Sequence, residues 1–183
     1  MPSNVEIKAR VADVERLKLA ARELSGADPV LIRQEDIFFN VPSGRLKLRK
    51  LQDQKSQLIF YERSDQTGPK FSDYCISQTD EPESLQATLV RALGMKGVVQ
   101  KERLLYMVGQ TRVHLDNVQD LGDFMELEVV MQEGQSMEEG EQIAARLMEQ
   151  LGVARDQLIS GAYMDLILNK QTKTYAFLFS LCI

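Results

Sequence analysis

The sequence predicts an α+β protein built on a roughly eight-stranded antiparallel β-barrel, closed or nearly closed, with helices packed on its outside. Many short segments alternate between apolar and polar residues, the period of a strand with one buried face. Stretches with helical spacing of apolar residues separate them, placed to cover the apolar strand faces. The polar faces of the strands segregate into Lys/Arg and Glu rather than mixing freely.

The first strand is Val5 to Val11, with Val5, Ile7, Ala9 and Val11 on one side and Glu6, Lys8 and Arg10 on the other. Asp13 reads as a helix N-cap. Val14, Leu17, Ala21 and Leu24 form the stripe of that helix, and Gly26 stops it. Asp36 to Val41 reads as a strand, Pro42-Ser43-Gly44 as a turn, and Arg45 to Leu51 as the next strand. Gln57 to Arg63 and Lys70 to Ile76 are further strands around a loop at Asp65 to Pro69. A second helix opens near Pro82, carries Leu85, Leu89, Ala92 and Leu93, and closes at Gly94. Val98–Val108 and Arg112–Val118 read as a hairpin around Gly109-Gln110, followed by a strand from Phe124 to Met131. Ser136 to Glu139 is a capping box for a helix ending at Gly152, and a short helix is expected around Arg155 to Ser160.

The chain has 183 residues and a net charge of −5. That length suits one domain, read as residues 1–169 with a tail from 170 to 183. An acidic chain is a poor sequence-independent binder of nucleic acid. Cys75 and Cys182 have no metal-like spacing, which fits a reducing, cytoplasmic setting. The start lacks the pattern of a signal peptide, and no apolar run approaches the ~20 residues of a membrane span. His114 is the one histidine, so a multi-histidine metal site is excluded.

The charged faces carry the functional reading. Arg45, Lys47 and Arg49 share a face, as do Lys101 and Arg103, Arg112, His114 and Asp116, Glu6 and Lys8, and Glu126 and Glu128. On a single strand, such a face is ordinarily solvated. Taken together, with helices available for the apolar sides, the charges point into the barrel. Isolated buried cations are costly, so the lumen must be wet and must meet a polyanion. Arg offers phosphate a fork of donors and Lys a point charge. Glu6, Glu126, Glu128 and Asp116 would repel polyphosphate unless a hard cation such as Mg2+ or Mn2+ bridged them to it.

Asn4-x-Glu6-x-Lys8 resembles the ExExK signature of the CYTH superfamily, the triphosphate tunnel metalloenzymes. Gly44 to Arg49, Tyr61-Glu62-Arg63, Lys70 to Tyr74, Lys101 to Tyr106, Arg112 to Asp116 and Glu126-Leu127-Glu128 follow in the family's order, across about residues 4 to 168. The segments at Lys70 and Lys101 are most similar to the class IV adenylate cyclase-like branch. The resemblance implies a tunnel that holds a triphosphate and divalent metal. It assigns phosphate binding to Lys8, Arg45, Lys47, Arg49, Arg63, Lys70, Lys101, Arg103 and Arg112, with Lys8, Arg45 and Lys101 acting in catalysis. It assigns metal to Glu6, Glu126, Glu128 and Asp116. Asn4 departs from the signature, bringing a carbonyl but no charge. The tail from Lys170 matches nothing in the family, and its apolar end suits docking on the domain, association as a homodimer, or disorder.

Two reactions fit this site: metal-dependent hydrolysis of tripolyphosphate, ATP or thiamine triphosphate, and cyclisation of ATP to cyclic AMP and pyrophosphate. Hydrolysis needs fewer specialised contacts and is the first expectation. A non-catalytic polyphosphate or nucleotide binder is the alternative that Asn4 favours. A surface patch for RNA would have no use for Glu126 and Glu128.

Overall fold

A computed structural model describes residues 3–52, 54–63 and 68–180, with side chains to residue 173. Most of the expected loop at Asp65 to Pro69 lies outside the described residues, as do Cys182 and the apolar end of the tail. Eight antiparallel strands close a barrel: β1 (Ser3–Arg10), β2 (Val30–Phe39), β3 (Arg45–Leu51), β4 (Ser56–Arg63), β5 (Lys70–Thr79), β6 (Met95–Val108), β7 (Thr111–Val118) and β8 (Gly122–Val130). Around the barrel they run β1-β5-β4-β3-β2-β6-β7-β8. Strands β2 to β5 are one meander and β6 to β8 another. The β2–β6 pairing joins them on one side, and β1 joins them on the other by pairing with both β5 and β8. Closure removes the unpaired edges that an open sheet would expose.

The helices cover the apolar strand faces as the alternation requires. Helix α1 (Val14–Ser25) begins at Asp13, whose side chain accepts from the Arg16 N–H, and ends at Gly26 in the left-handed region. It buries Leu17 and Ala21. Helix α3 (Met137–Gln150) carries the expected capping box at Ser136 and Glu139 and buries Ala144 and Leu147. Both pack in one core with Val5, Ile7 and Ala9 of β1, Val113 and Leu115 of β7, and Met125, Leu127 and Val129 of β8. Helix α2 (Pro82–Leu93) sets Leu85, Leu89 and Val90 against Ile37, Phe39 and Leu48.

The elements differ from expectation mainly in length. Strand β2 starts at Val30 rather than Asp36, β6 starts at Met95, and β5 runs on to Thr79. These extensions are held by partners distant in sequence: Val30 faces Leu105, Phe39 faces Met95, and Ser56 faces Thr79. The short helix is a 3-10 turn at Arg155–Gln157. Helix α4 (Tyr163–Ser180) runs through the expected tail boundary at residue 170. Its first turn packs on the barrel through Tyr163 and Met164, against Phe38, Val99 and Phe124. Among the described residues, no helix is long and apolar enough to cross a membrane.

Candidate functional site in the barrel lumen

Alternation turns one face of every strand inward, around a cavity of about 310 Å³. Among the described residues, seven Lys and Arg line it (Lys8, Lys47, Arg49, Arg63, Lys101, Arg103 and Arg112) against four carboxylates, Glu6, Asp36, Glu126 and Glu128. The cations therefore outnumber the carboxylates of the wall, which makes that wall net positive.

The carboxylates divide the cations into sets. Asp36, buried on β2, takes Arg49 Nε at 2.8 Å, Arg49 Nη2 at 3.1 Å, Lys47 Nζ at 3.0 Å and Gln34 Nε2 at 3.2 Å. Asp116, buried on β7, takes Lys101 Nζ at 2.8 Å, Arg103 Nε at 2.6 Å, Arg103 Nη2 at 2.7 Å and the Tyr163 hydroxyl at 2.9 Å. Burial works to raise both carboxyls, but Arg49 with Lys47, and Arg103 with Lys101, outweigh it and hold them below the ordinary carboxylate range. Both aspartates thus act as anchors that aim cations into the lumen. Asp116 was expected among the metal ligands. It sits behind Lys101 and Arg103 with both oxygens engaged and is not part of the cavity wall.

The glutamates reach further in. Glu126 accepts from Arg103 Nη2 at 2.7 Å and lies 3.4 Å from Lys8 Nζ. Glu128 accepts from Arg112 Nε at 2.8 Å. Glu6 is bound to Arg63, whose Nη2 also donates to the Gly161 carbonyl at 3.2 Å. Burial first, and then the charges of Glu126 and Glu128, push the Glu6 carboxyl above its ordinary range despite Arg63. His114, Glu126 and Glu128 each present a ligand atom within 4.8 Å of the others. Two further observations fit a cation here: His114 Nδ1 and Asn4 Oδ1 are buried without a hydrogen-bond partner. A divalent ion beside His114, Glu126 and Glu128 would relieve the crowding of like charges there.

Besides Asp116, two expected residues lie apart from the main cavity. Arg45 lines a smaller one at the α4 end, where Nη2 meets Asp165 Oδ2 at 3.1 Å. Lys70 is buried opposite Glu6 in the β1–β5 register and is not part of the main wall. Lys8, Lys47, Arg49, Arg63, Lys101, Arg103 and Arg112 come together in the lumen, with Glu6, Glu126 and Glu128 beside them.

Sequence reasoning missed Asp36 and Tyr163. Asp36 lies at the start of the expected strand Asp36 to Val41, where inward Phe38 blurs the charged face. Tyr163 enters from a helix, outside any strand pattern. Its ring sits 3.9 Å from Lys8 Nζ and 4.8 Å from Lys101 Nζ, centroid to nitrogen, and packs 5.0 Å from the Phe124 ring. It closes one end of the lumen. The other end is different in kind: Ile32, Leu51, Ile76 and Leu105 meet Gln54, Gln57 and Tyr74 there.

Comparison with known proteins agrees with this architecture. The chain is 26% identical over 175 residues to adenylate cyclase CyaB of Aeromonas hydrophila, covering 88% of this chain and 87% of that protein. The structure of the PH1012 protein from Pyrococcus horikoshii OT3 superposes with a TM-score of 0.80 at 28% identity, over 89% of this chain and 98% of that one. A putative adenylyl cyclase from Hippeastrum, described as having a dominant triphosphatase activity, shares the fold with a TM-score of 0.62 at 17% identity, over 87% of this chain and 91% of that one. The CYTH domain model matches residues 3–163, the whole barrel with helices α1 to α3, and the chain belongs to the CYTH family.

Proposed function

We propose that this chain hydrolyses a triphosphate-containing substrate, drawn into the lumen with a divalent metal ion, Mg2+ or Mn2+. The observation that carries this reading is the closed tunnel itself, with seven cations and a Glu-rich cluster facing one cavity. Lys47 and Arg49, fixed by Asp36, and Lys101 and Arg103, fixed by Asp116, hold phosphate oxygens from two sides. Arg63 and Arg112 bind the same chain of phosphates nearer the glutamates. Lys8 and Lys101, flanking the Tyr163 ring, neutralise charge on the reacting phosphoryl group. Arg45 contributes from the closed end, where it fixes Asp165 at the start of α4. Glu6, Glu126 and Glu128 would hold the metal, whose chemistry there would be to neutralise charge and position water. Prior anchoring of the cations means little reorganisation when substrate arrives.

A second reading is an adenylate cyclase of the class IV type. The mouth lined by Ile32, Leu51, Leu105, Gln54 and Gln57 favours it, because apolar and amide groups suit an organic moiety such as a base. The Aeromonas relative points the same way. A third reading is a non-catalytic polyphosphate binder.

One experiment separates the three. Tripolyphosphate, ATP and thiamine triphosphate are each incubated with the protein in magnesium and in manganese. Released phosphate and cyclic AMP are both measured. Hydrolysis predicts free phosphate as the main product. Cyclic AMP with pyrophosphate would establish the cyclase instead, and tight binding without turnover would leave the binder.

A further inference from the structure

The metal cluster has an unusual member for a tunnel whose acids are carboxylates. His114 is 3% exposed and lies on β7, directly across from Glu126 on β8. Its Nδ1 has no hydrogen-bond partner and stands 3.8 Å from Glu128 Oε1. Glu128 spends its other oxygen, Oε2, on Arg112, and Glu126 spends Oε2 on Arg103. Glu128 therefore keeps an Oε1 that no arginine holds, while Glu126 Oε1 faces Lys8 Nζ at 3.4 Å. A buried imidazole nitrogen without a hydrogen-bond partner is costly unless something binds it.

We propose that His114 is a nitrogen ligand of the tunnel's divalent ion, together with Glu126 and Glu128, and that it biases the site toward manganese-type ions over magnesium. The inference rests on the metal-dependent reading above. The candidate ligand atoms lie within 4.8 Å of one another, and His114 and Glu126 share a β-ladder row, so small side-chain rotations bring them onto one ion. Magnesium is a hard ion that takes oxygen and keeps its water, whereas first-row transition ions accept imidazole readily. A His–Glu–Glu set thus discriminates by ligand type where an all-carboxylate set would not. Asn4 Oδ1 is also buried without a hydrogen-bond partner, on the wall of the same cavity.

The test exploits the fact that the chain has a single histidine. Tag-free protein is stripped with chelator, loaded with Mn2+ at substoichiometric ratio, and examined by electron spin-echo envelope modulation. Imidazole nitrogen coupling can then come only from His114. The expected spectrum shows 14N modulation that converts to a 15N pattern when histidine alone is labelled. His114→Gln abolishes the modulation and weakens Mn2+ binding by about ten-fold or more, while Mg2+ affinity changes much less. The labelled wild-type spectrum does not depend on any variant folding. Bound Mn2+ with no nitrogen coupling overturns the assignment of His114 and leaves triphosphate hydrolysis standing. Absence of Mn2+ binding overturns it too, and the phosphate-release assay then decides the parent reading separately.

Discussion

Asp36 shows how much of the lumen depends on single carboxylates. It is the counter-charge of both Lys47 and Arg49, so Asp36→Asn leaves two inward cations without their anion. The expected loss is on the order of 3 kcal/mol in urea unfolding of ligand-free protein. Saturating tripolyphosphate brings the missing charge and should narrow that deficit; a deficit untouched by ligand would argue against polyanion binding beside these residues. Lys47 makes a second prediction. Burial, and next the neighbouring Arg49, push its ammonium down to about 8. A bound polyanion favours the protonated form and raises that value. Binding should therefore take up protons near pH 8, and affinity should fall as pH rises above about 8. Calorimetry in two buffers of different ionisation enthalpy measures the uptake. The depressed carboxyls of Asp36 and Asp116 act in the acid range. Their stabilisation is complete above the ordinary value of about 4 and is lost as pH falls through their lowered native values. Ligand-free protein should begin to lose stability below about pH 4, and Asp36→Asn should flatten that limb of the pH profile.

Among the elements, the turns are the least forgiving. Gly44, between β2 and β3, has φ +62°, and a Cβ there would lie 2.7 Å from the Phe60 ring and 2.9 Å from the Tyr61 carbonyl oxygen. Gly26, the cap of α1, has a similar φ of +66° but open space around it. Gly44→Ala should therefore cost roughly 2–3 kcal/mol and Gly26→Ala only about 1 kcal/mol, compared by thermal or urea melts. Equal costs would mean that Phe60 yields without penalty. The strands whose two faces differ sharply were legible in sequence. In β3, Lys47 and Arg49 face the cavity while Leu48 is buried against α2, so the alternation survives intact. In β2 it does not. Ile37 and Phe39 pack outward, Phe38 packs inward at the closed end, and the start at Val30 depends on β6 rather than on local pattern. Helix α4 was not legible because its first turn is chosen by the barrel: Tyr163 answers to Lys8 and Asp116, and Met164 fills the space above Gly97.

At the scale of the molecule, the tunnel was readable as a charge pattern, while the division of labour within it was not. Which carboxylates stand behind cations and which reach the cavity depends on side-chain length and strand register, and neither is local. Asp116 and Glu126 both neighbour Arg103 in the barrel, yet only Glu126 lines the cavity. Tripolyphosphate bound in such a lumen should stabilise the whole fold by about 2.7 kcal/mol at about 100 times its dissociation constant, read as a rise in melting temperature. A ligand that binds without raising it would be sitting outside the tunnel. The position of β1 has a consequence for how the molecule is made. Its partners are β5 and β8, so β1, made before the other seven strands of the barrel, waits for the eighth before it is flanked on both sides. Until then Glu6 and Lys8 face no opposing wall, and β1 is an open edge. Closing the barrel and assembling the binding site are one event, and it waits for β8.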